Sequence, residues 1–144
     1  MDRVLVLAAV AALVTVLAVG GRVLAARRLR RLRDAAPAAL WRALESEPDG
    51  RSTVVAFSTP SCIACRSAQR PALVALEELA GGQVRVLHVD AAARPDVARA
   101  FGVLTVPATT VLDERGAVLA ANQGFATAET LAGQLGLRLA PRPA

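Results

Sequence analysis

The two cysteines of this chain, Cys62 and Cys65, lie where an apolar strand runs into a helix. Residues 53–58 form the continuous apolar run of a buried strand, and the helix that follows extends over about residues 62–79. A CxxC pair at a strand–helix junction is typical of a redox site rather than of a structural disulfide. The stretch around the cysteines therefore organises both the predicted fold and the predicted chemistry.

The position of each cysteine on this helix predicts its role. The first residues of a helix carry unpaired N–H groups and the positive end of the dipole, which favour the nucleophilic thiolate form of Cys62. Cys65 lies one turn further on the same face, so it can attack a mixed disulfide formed at Cys62. The alternatives are two inert core cysteines or half of a zinc site, for which His88 is the only further soft or imidazole candidate. We expect no metal.

Further features in the right order make the chain similar to the thioredoxin family over about residues 38–139. Pro71 lies within the long helix, where thioredoxins carry a kinking proline. Residues 101–109, FGVLTVPAT, resemble the stretch of that family that ends in a cis-proline, here Pro107. Gly116 and Gly124 match its hairpin and post-strand glycines.

The resemblance implies the site residues. Cys62 and Cys65 are the catalytic pair, and the backbone at Val106 and Pro107 holds an extended substrate. The peptide bond before Pro107 is expected to be cis, the alternative being a trans proline that starts an edge strand.

Three residues next to the cysteines are expected to support the site. These are Pro60, Ser61 and Arg66. Arg66 either adds positive charge near the thiolate or is a solvated helix residue.

Several positions depart from the family pattern. Ala56 stands where thioredoxins carry a buried aspartate that accepts a proton, and Ser61 replaces the usual tryptophan before the first cysteine. The intervening Gly-Pro is Ile63-Ala64. The usual aid to proton transfer is therefore missing. His88, which follows on the next strand, is of a residue type that titrates near neutrality. We expect it to be only a partly exposed strand residue, with water carrying the proton.

The pattern of elements predicts an α/β fold, a thioredoxin-like mixed sheet flanked by helices and preceded by one transmembrane helix. Strands are predicted at 53–58, 84–90, 108–112 and 117–121, and helices at 38–46, 62–79, 95–101 and 128–137. A parallel pair with helical crossovers, followed by an antiparallel hairpin, fits this sheet. The extra N-terminal strand of larger thioredoxins is not evident.

An uncharged apolar run over residues 4–21 predicts a membrane anchor. As a helix its 18 residues extend about 27 Å, which is just sufficient for the hydrocarbon core. The alternative is a cleaved signal peptide with residues 23–25 as cleavage site, although only Arg3 precedes the run and many arginines follow it. A core helix is not expected, because about 110 further residues cannot cover a helix that is apolar on every face.

The net charge of +5 belongs entirely to the N-terminal segment. Residues 1–34 hold seven arginines and two aspartates, whereas the rest holds ten of each sign. The globular part therefore has no basic excess for a nucleic acid. The basic segment 27–33 is expected to set membrane topology and to bind anionic lipid, or to be a solvated stop-transfer flank.

We predict an anchor with its basic segment (1–34), a thioredoxin-like domain (35–140) and a tail (141–144). The predicted function is a membrane-tethered thiol–disulfide oxidoreductase that reduces protein disulfides and receives electrons from an external dithiol partner. No cofactor is expected, since no nucleotide-binding motif is present. The resemblance and the apolar run imply a single-pass protein of a bacterial cytoplasmic membrane, and the charge pattern predicts that its domain lies inside. The alternatives are an outward-facing partner in cofactor or haem-protein maturation and a non-catalytic interaction module.

Overall fold

The N-terminal part of the chain is one long helix. The computed structural model describes residues 2–137, which divide into two compact units between Arg31 and Leu32. Helix α1 (Asp2–Asp34) contains the predicted apolar run, and by length and composition it is able to cross a membrane. Its apolar window is not buried, which disagrees with a core helix of a soluble domain. A signal sequence meets the same criteria of length and composition.

The second unit is a four-stranded sheet with helices on its faces. Its strands are β1 (Ser52–Ser58), β2 (Val84–Asp90), β3 (Ala108–Leu112) and β4 (Val118–Gln123). Its helices are α2 (Pro37–Ala43), α3 (Arg70–Ala80), α4 (Pro95–Ala100) and α5 (Ala128–Gln134). The strand order is β2-β1-β3-β4, with β1 and β2 parallel and the other two pairs antiparallel. The predicted mixed sheet with flanking helices is thus confirmed.

The helix that contains Cys65 is not regular. Residues Cys65–Gln69 form a π-helical turn, in which the N–H of Arg70 donates to the carbonyl of Cys65, and α3 follows. The helix predicted over about residues 62–79 is thus present, with an irregular turn just before Pro71, where the resemblance implies a kink. Pro71 explains the irregular turn, because it has no N–H to donate and its ring displaces the carbonyl of the preceding turn. Gly81, in the left-handed conformation, ends α3 as the sequence indicates.

The last helix is shorter than predicted. Helix α5 begins at the predicted cap, where the Thr127 side chain accepts from the N–H of Thr130, but it ends at Gln134. Gly136 adopts a φ of +70°, and the N–H of Leu137 donates back to the carbonyl of Ala132. This glycine cap stops the helix. The predicted tail, residues 141–144, lies outside the described residues.

The core lies on both faces of the sheet. On one face, Val54 and Ala56 of β1 belong to a buried cluster with Leu73 and Leu76 of α3 and Leu131 of α5.

On the other face, the ring of Phe57 packs against that of Phe101, with 5.4 Å between the centroids. Successive residues of β1 thus point to opposite faces of the sheet and pack into the apolar layer on each face. Strand β1 is therefore a central strand, and the packing of both faces positions its carboxyl end.

Candidate active site

Three loops meet at one edge of the sheet. Strand β1 runs towards this edge and leads into the cysteines, while Phe57 near its end pairs with Ala108 at the start of β3. Ala108 pairs in turn with Gln123 at the end of β4. The segment before β3, which contains Pro107, and the segment after β4 therefore lie beside the cysteines.

The two cysteines form a disulfide and differ in their surroundings. Their sulfurs are 2.05 Å apart, and their Cα atoms 5.3 Å. Cys62 is partly exposed, whereas Cys65 is buried, with 6% of its surface exposed. The backbone N–H of Cys65 donates a hydrogen bond of 3.1 Å to Sγ of Cys62. The helix start thus directs a donor at the outer sulfur, as the sequence predicts.

The disulfide disagrees with the alternative in which the two cysteines form half of a zinc site. Both sulfurs take part in the bond, so in this state neither is available to a metal. Over residues 2–137, no group of three or more His, Cys, Asp or Glu side chains is arranged to hold a metal ion.

The proline expected beside the cysteines has the expected geometry. The peptide bond between Val106 and Pro107 is cis, so the trans alternative is wrong. Pro107 is buried, and its carbonyl accepts from the N–H of Gly124 at 2.8 Å. Val106 is partly exposed. Contact of this segment with a substrate stays a prediction.

The three supporting residues form a hydrogen-bonded turn. Arg66 donates from its guanidinium to the carbonyl of Pro60, and the N–H of Cys62 donates to the carbonyl of Thr59 at 3.1 Å. The hydroxyls of Ser61 and Thr59 are 3.5 Å apart. Arg66 is thus neither merely solvated nor directed only at the thiol, because its hydrogen bond fastens the loop that carries Cys62.

Sequence reasoning missed the residue that fastens the loop after β4. Gln69 is buried, and its side-chain amide donates to the carbonyl of Ala126 and accepts from its N–H, each at 3.0 Å. The signal for it was a glutamine one turn after Cys65 on the buried face of the helix. Such a buried polar side chain has to find a partner.

Exposed apolar side chains occur on each of the three loops. Ile63 is 72% exposed, Leu104 is 79% exposed and Phe125 is 51% exposed. Since their loops meet at one edge, the rim of the disulfide offers apolar surface on more than one side. Sequence analysis did not single out this rim, because nothing in the sequence distinguishes an exposed apolar residue from a core residue.

The comparisons with known proteins agree with this geometry. The thioredoxin family model matches residues 41–136. Thioredoxin-2 of the malaria parasite, described as a component of its protein secretion machinery, is 25% identical. It aligns over 58% of this chain and 79% of its own, with a TM-score of 0.53.

Two further solved structures share the fold. The Drosophila melanogaster thioredoxin Deadhead is 20% identical over 60% of this chain and 79% of its own, with a TM-score of 0.52. Mitochondrial thioredoxin 3 of Saccharomyces cerevisiae is 21% identical over 62% and 79%, with a TM-score of 0.50. No curated protein matches the chain. The family model covers most of the chain, and the Cys62–Cys65 pair within it supports thiol–disulfide oxidoreductase chemistry; the chain belongs to the thioredoxin family.

Proposed function

We propose that this chain is a membrane-tethered oxidoreductase that reduces protein disulfides with the dithiol of Cys62 and Cys65. The observation that carries the proposal is the difference between the two sulfurs. Cys62 is the more exposed residue and its Sγ accepts from the N–H of Cys65, whereas Cys65 is buried. A donor aimed at a sulfur stabilises its thiolate, and the thiolate is the attacking form.

The reaction transfers two electrons from the dithiol to the substrate. The Cys62 thiolate attacks one sulfur of a substrate disulfide, forming a mixed disulfide and releasing the other sulfur as a thiolate. Cys65 then loses its proton and attacks Sγ of Cys62. The Cys62–Cys65 disulfide forms, the second substrate thiolate leaves, and each released thiolate takes up a proton.

The substrate is an extended segment of a protein that contains a disulfide. It pairs with the backbone of Val106 beside the cis Pro107, next to the cysteines, and its apolar side chains contact Ile63, Leu104 and Phe125 around the rim. Arg66, Pro60 and Ser61 hold the loop that presents Cys62. Apolar contacts of this kind are non-directional, which suits a site that accepts many sequences.

An external dithiol returns the disulfide to its reduced form by the same exchange in reverse. Helix α1 anchors the domain, and the arginines that follow its apolar part lie against anionic lipid headgroups. We place the chain in a bacterial cytoplasmic membrane as a single-pass protein with its domain in the cytoplasm. Residues 1–34 form the anchor, and the thioredoxin domain extends over 35–140.

The test is reduction of insulin by the full chain in detergent micelles, with dithiothreitol as the electron source. The chain should accelerate precipitation of the insulin B chain well beyond dithiothreitol alone. Cys62→Ser should abolish the acceleration, and Cys65→Ser should leave a chain that forms mixed disulfides but does not turn over. Equal precipitation with the wild-type chain and Cys62→Ser would refute the proposal and favour an interaction module.

A further inference from the structure

A cleft reaches Cys65 from the side of the sheet that carries α3. Its volume is about 210 Å³, and its walls include Ala56 of β1, Cys65, and His88 of β2. A water molecule takes up about 30 Å³ of liquid volume, so a cleft of this size admits several waters. The buried Cys65 therefore has a route to solvent separate from the exposed face of Cys62.

The register of the sheet sets His88 beside this route. Ala56 and His88 are direct partners in the parallel pair of β1 and β2, so their side chains project from the same face of the sheet. Ala56 is buried and has only a methyl group, which leaves the cleft open at its base. His88 is exposed and lies in the wall of the same cleft. The cleft thus joins a buried cysteine to an exposed imidazole.

We propose that His88 accepts, through water in this cleft, the proton that Cys65 loses when it resolves the mixed disulfide. This inference rests on the proposed function. The Cys65 thiol passes its proton to a water, and that water passes a proton to a ring nitrogen of neutral His88. The Cys65 sulfur, now a thiolate, attacks Sγ of Cys62, and the substrate sulfur leaves with the electron pair. The imidazolium then releases its proton to solvent, because His88 is exposed.

The charges around the cleft suit this step. Two cations, Arg66 and Arg70, line it from the side of the helix. Positive charge near a thiol favours its thiolate form, which is the form of Cys65 that attacks. Asp90 lies two positions beyond His88 on the same strand, and its carboxylate accepts from the N–H groups of Ala92 and Ala93.

Within the described residues, no carboxylate lines this cleft. Histidine is the side chain whose ordinary proton exchange falls between about pH 5 and 8. His88, the single histidine of the chain, is therefore the group in the cleft suited to the transfer at neutral pH.

The two halves of the reaction can be followed separately with the aromatic disulfide 5,5′-dithiobis(2-nitrobenzoate). The reduced full chain in detergent is mixed with this reagent in a stopped-flow instrument. The attack of Cys62 releases one coloured thiolate, and the attack of Cys65 on the mixed disulfide releases the second. Since this leaving thiolate needs no proton, the second phase reports the loss of the Cys65 proton.

His88→Ala and His88→Gln should both slow the second phase by at least about tenfold at pH 7, a low value for general base catalysis. The first phase should stay within about twofold, since His88 acts only after Cys62 has reacted. Gln83→Ala, at an exposed position before β2, is the matched control and should change neither phase.

Added imidazole should restore the second phase of His88→Ala, which a purely structural role of the side chain would not allow. A second phase that is unchanged in both variants, or slowed without rescue by imidazole, would overturn the assignment of His88. A missing first phase in the wild type would instead refute the proposed function itself. His88→Gln keeps a polar side chain, and its second phase provides the test if His88→Ala does not fold.

Discussion

The side-chain amide of Gln69 pairs with both backbone polar groups of Ala126, donating to the carbonyl and accepting from the N–H, each at 3.0 Å. Gln69 is in the π-helical turn that begins at Cys65, and Ala126 follows the exposed Phe125. One buried side chain therefore joins the helical turn that contains Cys65 to the loop that follows β4.

Replacing Gln69 should loosen the site and the domain together. Gln69→Leu leaves a buried donor and a buried acceptor without partners, which should lower the free energy of unfolding by about 2–4 kcal/mol. The measurement is urea unfolding of the full chain in detergent, followed by the fluorescence of Trp41, the only tryptophan.

Gln134→Leu is the matched control. The amide of Gln134 pairs with that of Asn122 in a partly exposed position, so its loss should cost no more than about 1 kcal/mol. An equal loss of unfolding free energy in the two variants would show that the pairing of Gln69 with Ala126 stabilises the domain no more than an exposed amide pair does.

Cys62 should be the thiol that reacts first. It is the more exposed of the two, and its sulfur accepts the N–H of Cys65, which favours the thiolate. Limited alkylation of the reduced chain at neutral pH, read by peptide mass spectrometry, should label Cys62 before Cys65. Cys65→Ser should accumulate mixed disulfides with substrate proteins, and Cys62→Ser should not. Preferential labelling of Cys65 would reverse the assignment.

The sheet could be predicted closely because its signals are local. Strands β2 (Val84–Asp90) and β3 (Ala108–Leu112) have the predicted bounds, since each is rich in β-branched residues and is flanked by turn residues or a proline. The left-handed glycines Gly81 and Gly116 likewise mark the end of a helix and of a hairpin turn. Such boundaries need no knowledge of distant partners.

Features that depend on distant residues were not predictable in this way. Gln69 and Ala126 are 57 residues apart, and no sequence pattern near either residue indicates that they form hydrogen bonds with each other. The cleft beside Cys65 arises because the parallel register sets Ala56 beside His88. The sequence shows an alanine and a histidine, but only the pairing of β1 with β2 brings them to one cavity. The π-helical turn has no compositional signal apart from Pro71.

Gly116 should tolerate no side chain. Its φ is +82°, and a Cβ at this position would lie 2.1 Å from Nε1 of Trp41. Gly50 has the same φ with no atom within 4 Å of its Cβ position, so it reports the backbone strain alone. Gly50→Ala should cost about 1–2 kcal/mol of unfolding free energy. Gly116→Ala should cost about 1–3 kcal/mol more, as overpacking does. Equal costs in urea unfolding would mean that Trp41 moves aside freely.

A carboxylate at position 56 should assist the second half of the reaction. Ala56→Asp introduces a proton acceptor into the cleft that Ala56 shares with Cys65, so disulfide turnover near neutral pH should rise. The free energy of unfolding should fall by about 1–3 kcal/mol, the cost of a buried polar group. Ala56→Asn is the control, since it carries a similar cost without accepting a proton. Turnover that is unchanged or lower in Ala56→Asp would mean that the existing proton route already suffices.

The thioredoxin domain should face the cytoplasm. Positive charge near a membrane span stays inside, and charges within about 15–20 residues of its ends decide the orientation. Arg3 precedes the apolar run, whereas six arginines follow it, at positions 22, 27, 28, 30, 31 and 33. A cytoplasmic domain also suits reduction, because that compartment keeps thiols reduced.

C-terminal fusions to a fluorescent protein that matures only inside, and to a phosphatase active only outside, measure the orientation. The fluorescent fusion should be the active one, and glutamines in place of the five arginines from 27 to 33 should weaken this preference. Phosphatase activity in the unaltered chain would instead place the domain outside and favour a role in cofactor or haem-protein maturation.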